Sequence, residues 1–430
     1  MLGGIGAGAG PGDGQHFHVI QGSKPQRTRP RLLVVTTTFP RRPHDSEPDF
    51  VWQLCEQLAD EFRVIVLAPS GRGLKSVERM GKSIVVRWRY APTSLETLAY
   101  SGGMSERIKA QPGMWLLVPF FLAGLIVRAV SLFRQHSFAA AHVHWVFPTL
   151  PAILLARGLA FRPQVPVACT AHGADVHGFR SPWLLKIKSW ALRRCSRIAA
   201  VSGALARRVD LDCPKLRINI LPMGIRPCPP KPSYRRRPGD LIFVGRLVEK
   251  KGADTAVSVI AELHRRQRDV HLSIIGDGPE RAHVENLVFA LGIGDRVSFL
   301  GAVPGPEASA YLANAGIALL PFRTAKNGDA EGLGLVILEA LAGGCPVITS
   351  DTEITRSFLT SERHALLAKP DKVSEFADAV EATLDGYEQA LERTLRADRE
   401  ILGKYRWESV GRAYCDWLRE MTTETSIRWP

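Results

Sequence analysis

The run DAEGLGLVILEALAGGCPVITSD occupies residues 329–351 and contains two acids, Glu331 and Glu339, eight positions apart. Gly332 and Gly334 separate them and precede an apolar segment with the pattern of a helix. A glycine-rich turn that opens a helix presents unpaired backbone N–H groups and a positive dipole end, which favour a bound phosphate. Glu339 then lies roughly 7–8 Å along the helix from the phosphate site. The layout suits a ligand with hydroxyl groups on both sides of a diphosphate, although an isolated pair of this spacing would more often be a helix cap and a surface residue.

The composition indicates a globular protein of two domains. A chain of 430 residues is too long for one small core and suits two domains of about 200 residues each. Hydrophobic residues make up 45% and charged residues 23%, as in ordinary soluble proteins. The seven cysteines are scattered and form no C-x-x-C pair, which argues against a disulfide framework or a zinc site and for a reducing compartment. No apolar signal segment opens the chain, so we expect a cytoplasmic protein.

Short β-rich runs alternate with helical stretches along most of the chain, a pattern typical of parallel strands joined by crossover helices. We therefore expect an α/β fold with two Rossmann-like domains and a ligand at the carboxyl ends of the strands. The predicted parts are a disordered extension at residues 1–30, a first domain at 31–222, a proline- and arginine-rich linker at 223–239, a second domain at 240–402 and an amphipathic helix at 403–430.

The charge is divided unevenly between the two halves. Residues 1–239 carry 34 Lys and Arg against 13 Asp and Glu, a net +21, whereas the rest carries 22 against 29, a net −7. The basic half is therefore suited to an anionic partner. Its cations are dispersed and match no nucleic-acid-binding motif, so we expect no nucleic acid. An anionic membrane surface or a phosphorylated lipid fits better, and simple solubility is the alternative.

Two segments of the basic half bear on a membrane contact. SPWLLKIKSWALRRCSR (181–197) mixes tryptophans and cations in a way that suits a membrane interface: Trp183, Trp190, Lys186, Lys188, Arg193 and Arg194. We expect the protein on the inner face of the cytoplasmic membrane, the alternative being that these tryptophans pack into the domain. WLLVPFFLAGLIV (115–127) has 13 residues, and no segment reaches the ~20 that span a bilayer. We expect a buried helix there, with docking on a membrane surface as the alternative.

Five separated motifs carry a family resemblance: HVHWVFP (142–148), TAHGADV (170–176), FVGRLVEKKG (243–252), IIGDGPE (274–280) and EGLGLVILE (331–339). In this order they resemble the retaining GT-B glycosyltransferases of family 4, which include exopolysaccharide and lipopolysaccharide transferases. The resemblance implies two Rossmann-like domains facing across a cleft, with a C-terminal helix that crosses back to the first domain. It also implies transfer of a hexose from a UDP-, GDP- or ADP-sugar to a hydroxyl of a lipid-linked saccharide acceptor, without a cofactor.

The resemblance also assigns roles to individual residues. His172, Arg246, Lys251 and Glu331 are the expected catalytic residues. The two cations would neutralise charge on the leaving diphosphate, and the histidine would touch the donor sugar. Lys250 is adjacent to Lys251, but the motif favours Lys251 as the phosphate contact. The remaining donor contacts are expected at Gly173, Gly245, Gly276, Asp277, Gly278, Gly332, Leu333, Gly334, Leu335 and Glu339.

The acceptor side is less well defined by the sequence. The loop TTTFPRRPHDSEPDF (36–50) replaces the glycine pair that many relatives carry, and the expected acceptor contacts are Phe39, His144 and Asp175. We expect neither the D-x-D site of metal-dependent glycosyltransferases nor any obligatory metal. No glycosidase-like carboxylate pair is evident, which favours a same-face displacement over a covalent enzyme intermediate. A nucleotide-sugar epimerase and a non-enzymatic sugar-nucleotide-binding protein of the same fold stay open as alternatives.

Overall fold

The computed structural model describes residues 29–428 except 44, 101–103, 105–106, 109–110, 179–180 and 227–235. Nearly all of the predicted N-terminal extension and most of the predicted linker lie outside the described residues. The described residues form two α/β units, each built on its own sheet. This confirms the fold class that the alternation of β-rich and helical runs predicts.

The first sheet has eight strands in the order β3-β4-β2-β1-β5-β6-β7-β8. The strands are β1 (Arg31–Val35), β2 (Arg63–Pro69), β3 (Val77–Met80), β4 (Ser83–Trp88), β5 (Ala140–His144), β6 (Val167–Ala171), β7 (Arg197–Ala200) and β8 (Ile218–Ile220). All of them pair in parallel except β3, which runs antiparallel to β4 at the sheet edge. The short, largely polar β3 was not predicted, because VERM carries no strand signal.

The helices of the first unit lie on both faces of its sheet. They are α1 (Phe50–Leu58), α2 (Val118–Gln135), α3 (Thr149–Leu159), α4 (Ala174–His177), α5 (Pro182–Leu192) and α6 (Gly203–Asp212). Crossovers between parallel strands are right-handed, so α2, α3, α5 and α6, which lead from β4 towards β8, share one face, whereas α1 lies on the other. In agreement, α2 packs on α3 and α3 packs on α5.

The second sheet is entirely parallel, with six strands in the order β11-β10-β9-β12-β13-β14. Its strands are β9 (Asp240–Val244), β10 (His271–Ile275), β11 (Val297–Gly301), β12 (Ile317–Leu320), β13 (Val347–Ser350) and β14 (Leu366–Ala368). Its helices are α7 (Ala253–Arg265), α8 (Arg281–Ala290), α9 (Gly305–Asn314), α10 (Leu335–Ala342), α11 (Glu353–Arg356), α12 (Val373–Asp385) and α13 (Tyr387–Glu400).

The final helix, α14 (Trp407–Arg428), returns to the first unit, as the resemblance predicts. It packs against α1 and β5. The Tyr414 hydroxyl donates to the Leu221 carbonyl at 3.0 Å, and the Trp417 indole N–H donates to the Asn219 side chain at 3.1 Å. The helix therefore ties the end of the chain to the last strand of the first sheet.

The apolar segment around α2 needs a correction. Together with the 3₁₀ turn Pro112–Leu117 that precedes it, α2 forms a continuous stretch of 24 residues, in which the most apolar 18-residue window has a mean hydropathy of 2.3. By length and composition this stretch would suffice to cross a bilayer, whereas the sequence predicted that no segment is long enough. Only 28% of its most apolar window is buried, so the prediction of a buried helix is also wrong for most of it. The hydropathy pattern reveals the helix but not which of its faces is covered.

Candidate active site

The glycine-rich run opens a helix, as its sequence predicts. Gly334 has a φ of 78°, a left-handed conformation that glycine adopts without strain, and it is the N-cap residue immediately before α10. Glu331 lies in the loop before this turn, and Glu339 lies in the second turn of α10. Because four backbone N–H groups at a helix start have no partner within the helix, this end of α10 can receive an anion.

Glu331 forms an ion pair with Lys251. The Lys251 Nζ lies 2.7 Å from the Glu331 Oε2, and both side chains are mostly buried. The ammonium group also lies 4.5 Å from the centre of the Phe322 ring. Burial opposes ionisation of Glu331, but Lys251 and Lys250 outweigh it and lower its pKa to about 2. Glu331 is therefore an acceptor of hydrogen bonds and a very weak base at neutral pH.

The two adjacent lysines contact different acids. Lys250 lies 3.0 Å from the Asp329 carboxylate and donates to the Ala330 carbonyl at 3.2 Å. It thus holds the base of the loop that carries Glu331, whereas Lys251 contacts Glu331 itself. Lys250 is a positioning residue that the sequence did not assign.

The loops after β9 and β10 are in close contact beside this pair. Gly276 has a φ of 138°, and a Cβ at this position would overlap the Gly245 carbonyl oxygen. The Asp277 carboxylate accepts from the Gly278 backbone N–H at 2.8 Å, and Arg246 follows Gly245 directly. The predicted donor glycines therefore meet at the carboxyl edge of the second sheet, where backbone has to approach backbone.

His172 follows β6, is half-buried and lies next to two fully buried histidines. The His144 Nδ1 lies 2.8 Å from the His172 Nε2, and the His142 Nε2 lies 2.8 Å from the Thr170 hydroxyl. Burial lowers the pKa of His172 to about 3, with a further contribution from His142, and lowers the pKa of His144 as well. His172 is therefore neutral at physiological pH and is suited to hydrogen bonding rather than to accepting a proton.

Aromatic rings fix the position of His172. The Trp145 ring lies 4.5 Å and the Phe50 ring 5.2 Å from the imidazole, measured between ring centres. Trp145 has a φ of 80°, which is rare for a bulky residue. Such backbone outliers cluster at functional sites, where the surrounding structure imposes them.

The two units touch at the glycine-rich loop. The Ser202 hydroxyl, at the end of β7, donates to the Gly332 carbonyl at 2.8 Å. A Cβ at Gly332 would overlap the His172 carbonyl oxygen, and a Cβ at Gly173 would lie 3.0 Å from the Gly332 Cα. The turn that carries His172 and the loop that carries Glu331 are therefore in direct contact. Ser202 was missed because a lone serine in VSGA has no diagnostic neighbours.

Glu339 has partners that the sequence did not suggest. Arg226, shortly after β8, lies 2.8 Å from the Glu339 carboxylate and 2.5 Å from the carboxylate of Asp49, which precedes α1. The three side chains are between 13% and 22% exposed. Burial raises the pKa of Glu339, and the charge of Arg226 opposes that shift. This Asp49–Arg226–Glu339 triad joins the first unit, the segment between the units and the second unit.

The expected acceptor contacts need correction. The Phe39 side chain is fully buried in the core. The Asp175 carboxylate accepts from the backbone N–H groups of Val146, His172 and Gly173, so it organises the turns around His172. His144 is fully buried beneath His172. All three therefore support the site from within the domain, and none presents its side chain to an acceptor.

The described residues hold no group of three or more His, Cys, Asp and Glu side chains arranged for a metal ion. One correction to the motif reading is that Asp210 and Asp212 do form a D-x-D triplet. It lies on α6, where the Asp212 carboxylate bonds to Arg208 at 3.1 Å. A helix directs residues two apart to different sides, so this triplet does not form a chelating pair.

Two protein-family models match the chain. "Glycosyltransferase Family 4" matches residues 49–228, and "Glycosyl transferases group 1" matches residues 230–398. The two matches divide the chain where the first sheet gives way to the second. The chain belongs to the GT-B glycosyltransferases. Its two parallel α/β units, its returning C-terminal helix and the contact of its two sheets' loops at Gly332 agree with that fold.

Several characterised relatives resemble this glycosyltransferase. A protein of Mycobacterium tuberculosis named GDP-mannose-dependent alpha-(1-6)-phosphatidylinositol monomannoside mannosyltransferase is 28% identical over 312 residues, which cover 68% of this chain and 79% of the relative. The 2-deoxystreptamine glucosyltransferase of Streptomyces kanamyceticus is 29% identical over 361 residues, covering 78% and 88%. Among solved structures, sucrose-phosphate synthase from Thermosynechococcus elongatus superposes with a TM-score of 0.72 at 18% identity, over 92% of this chain and 100% of that one.

Proposed function

We propose that this glycosyltransferase moves a hexose from a nucleoside-diphosphate sugar to a hydroxyl of a lipid-linked saccharide, with retention of anomeric configuration. The observation that carries the proposal is the Lys251–Glu331 ion pair beside the glycine-rich start of α10, in contact with the His172 turn through Gly332. One acid, one cation and an anion-receptive helix end thus lie together at the junction of the two units. The acid suits sugar hydroxyls, the cation and the helix end suit a diphosphate, and the His172 turn would lie beside the reacting carbon.

In this mechanism the cations assist departure of the nucleoside diphosphate. Lys251 and Arg246 neutralise the negative charge that develops as the bond between the sugar C1 and the phosphate oxygen breaks and its electron pair leaves with the diphosphate. The start of α10 adds its backbone N–H groups to the same charge. Glu331 accepts hydrogen bonds from sugar hydroxyls, and neutral His172 orients the sugar from the opposite side.

The proton of the acceptor hydroxyl needs a base, and the enzyme's own groups are poor ones. Glu331 has a pKa of about 2 and His172 a pKa of about 3, so both have little affinity for a proton at neutral pH. We therefore assign the proton to an oxygen of the departing phosphate, as the new C1–oxygen bond forms on the same face. This route predicts retention without a covalent enzyme intermediate.

The lipid-linked acceptor and the membrane location rest on charge and on relatives. The first half of the chain carries a net +21, and the mycobacterial relative is named for a phosphatidylinositol-based acceptor. The Streptomyces relative is named for 2-deoxystreptamine, so relatives alone do not select a lipid. The uneven charge favours an acceptor held at the inner, anionic face of the cytoplasmic membrane.

The test is to incubate the enzyme with UDP-, GDP- and ADP-sugars, with and without short-chain lipid-linked saccharides. We expect nucleoside diphosphate to be released only when an acceptor is present, and proton NMR of the product to show the anomeric configuration of the donor. Lys250→Ala is the matched control for Lys251→Ala, since both remove a partly buried lysine from one turn. Inverted product, or conversion of donor without acceptor, would contradict the proposal, the latter in favour of an epimerase.

A further inference from the structure

The first sheet is partly open on the face that carries α2. Ile84 of β4 lies on this face, as does Trp88, whose ring packs 5.1 Å from that of Phe121 in α2, yet Ile84 is 46% exposed. A groove of about 950 Å³ lies there. Arg31 and Arg63 begin β1 and β2, so the groove opens at the amino ends of these strands, whereas His172 lies at a carboxyl end. The groove is therefore separate from the candidate active site.

The groove combines an apolar floor with a cationic rim. Ile65 and Ile84 are register partners on β2 and β4 and line it together with Leu132 of α2. The rim carries Arg29, Arg31, Arg63, Arg79, Lys82 and Arg128. No Asp or Glu lines the groove among the described residues. Two acids lie close to Lys82 at exposed positions: the Asp60 carboxylate is 2.7 Å from its ammonium group, and the Glu56 carboxylate accepts from its backbone N–H at 2.9 Å. The chemistry is that of a site for an anionic amphiphile.

Helix α2, which lines the groove with Leu132, its neighbour α3 and the residues at their ends carry further exposed apolar side chains. Those about half or more exposed are Trp115, Leu116, Phe120, Val127, Leu155 and Phe161. The two helices are joined where Arg134 donates to the Leu159 carbonyl at 2.9 Å. The sequence between Glu106 and Asp175 contains no acid, although it includes Arg128 and Arg134. Exposed apolar side chains concentrated on two packed helices indicate an interaction site, and the absence of acids removes repulsion from an anionic partner.

We propose that this surface docks on an anionic phospholipid bilayer, with α2 lying in the plane of the interface and the groove holding lipid phosphates. The helix does not span the membrane, because Phe121, Leu125 and Phe133 are fully buried against the domain and would have to detach. An apolar helix face flanked by cations is the pattern of interfacial binding. The inference deepens the proposed function by naming the membrane partner and its site.

The surface of α2 and the groove replaces α5 as the main proposed contact with the membrane. Lys188 of α5 is buried and donates to the Val176 and Gly178 carbonyls at 3.3 Å and 2.7 Å, so it is structural. Trp183 and Trp190 are exposed at 62% and 41%. Because α5 packs against α3 on the same face, these tryptophans extend the surface at its border.

The experiment is co-sedimentation with phosphatidylcholine vesicles, with and without phosphatidylglycerol, at low and high salt. Arg63→Glu/Arg79→Glu tests the groove and Val127→Glu tests the apolar face. Arg399→Glu/Arg412→Glu is the matched control, as it makes the same change in net charge at exposed positions outside the surface. At low salt the groove variant should lose at least ~25-fold in partitioning onto anionic vesicles, from about fivefold per cation, which corresponds to about 1 kcal/mol each. The control should lose little.

Three outcomes overturn the proposal. They are equal binding of the wild type to neutral and anionic vesicles, equal losses in the groove and control variants, and a Val127→Glu variant that binds like the wild type. A dimer that dissociates in Val127→Glu would show instead that the surface covers a second copy. Transfer to a water-soluble acceptor analogue should be unchanged in the groove variant. If the wild type shows no transfer at all, the proposed function fails, while the vesicle result still stands.

Discussion

Replacing Arg226 by glutamine is the sharpest test of how the two units are held together. The side chain bridges Asp49 before α1 and Glu339 on α10, at 2.5 Å and 2.8 Å. All three side chains are less than a quarter exposed, so solvent screens the pair only weakly. The substitution keeps a polar side chain but removes the charge, and it leaves two buried carboxylates near each other without a cation.

The expected cost follows from that geometry. Removing one partner of a buried ion pair typically destabilises a protein by ~3–5 kcal/mol, because the remaining charge is left uncompensated. Here two carboxylates share the arginine, so we expect the upper part of that range. The assay is urea unfolding of the single variants Arg226→Gln and Glu339→Gln and of the double variant.

The pH dependence of the free energy of unfolding provides an independent test of the same substitution. Burial raises the pKa of Glu339, and Arg226 opposes the shift. Without Arg226 the pKa in the folded state rises further above that in the unfolded chain, so the folded state binds the proton more tightly. The free energy of unfolding of Arg226→Gln should therefore increase as the pH falls from 7 towards 5, relative to the wild type.

The double variant tests whether Arg226 stabilises the protein through Glu339. If Arg226 acts through Glu339, adding Glu339→Gln to Arg226→Gln should recover ~1–3 kcal/mol, since it neutralises one of the stranded carboxylates. Two results refute the triad: an Arg226→Gln variant within about 0.5 kcal/mol of the wild type, the range of ordinary surface changes, or costs of the two substitutions that simply add.

Three further predictions concern the candidate site. Lys251→Ala should lower kcat by ~10²–10³-fold in steady-state assays of nucleoside diphosphate release, the scale for one transition-state charge stabiliser; a loss no larger than that of Lys250→Ala would remove its assigned role. Ser202→Ala should cost ~1–2 kcal/mol in urea unfolding, because it loses the hydrogen bond to the other unit and the cap that accepts from the Leu205 N–H; unchanged stability would contradict the contact. Gly276→Ala should lower Tm far more than a substitution at the unhindered Gly294, because its φ is 138° and a backbone carbonyl occupies the space; equal effects would show that the loops are not in close contact.

Much of the fold and of the candidate site follows from local sequence. Buried parallel strands are continuous apolar runs, so all strands except β3 could be recognised without knowing their neighbours. The motifs single out both Lys251 and Glu331, and the structure brings these two side chains together. What escaped were contacts between distant segments: Arg226 lies in a proline-rich stretch, and Ser202 has an unremarkable neighbourhood. The exposure of α2 was also not predicted, because an apolar sequence shows that a helix is hydrophobic but not whether other parts of the protein cover it.

The triad also sets a condition on donor binding. If Glu339 binds the ribose, as the family resemblance implies, its carboxylate has to exchange Arg226 for sugar hydroxyls or serve both at once. Arg226 also contacts Asp49, next to Phe50, which packs against His172. Binding at Glu339 would therefore affect the position of the His172 turn through three successive contacts. They are Glu339 with Arg226, Arg226 with Asp49, and Phe50, next to Asp49, with His172. Glu339 of the second unit and the His172 turn of the first unit are thus joined by a charged bridge as well as by the Ser202–Gly332 hydrogen bond. If the proposed donor contacts hold, a donor that engages Glu339 acts on both units together.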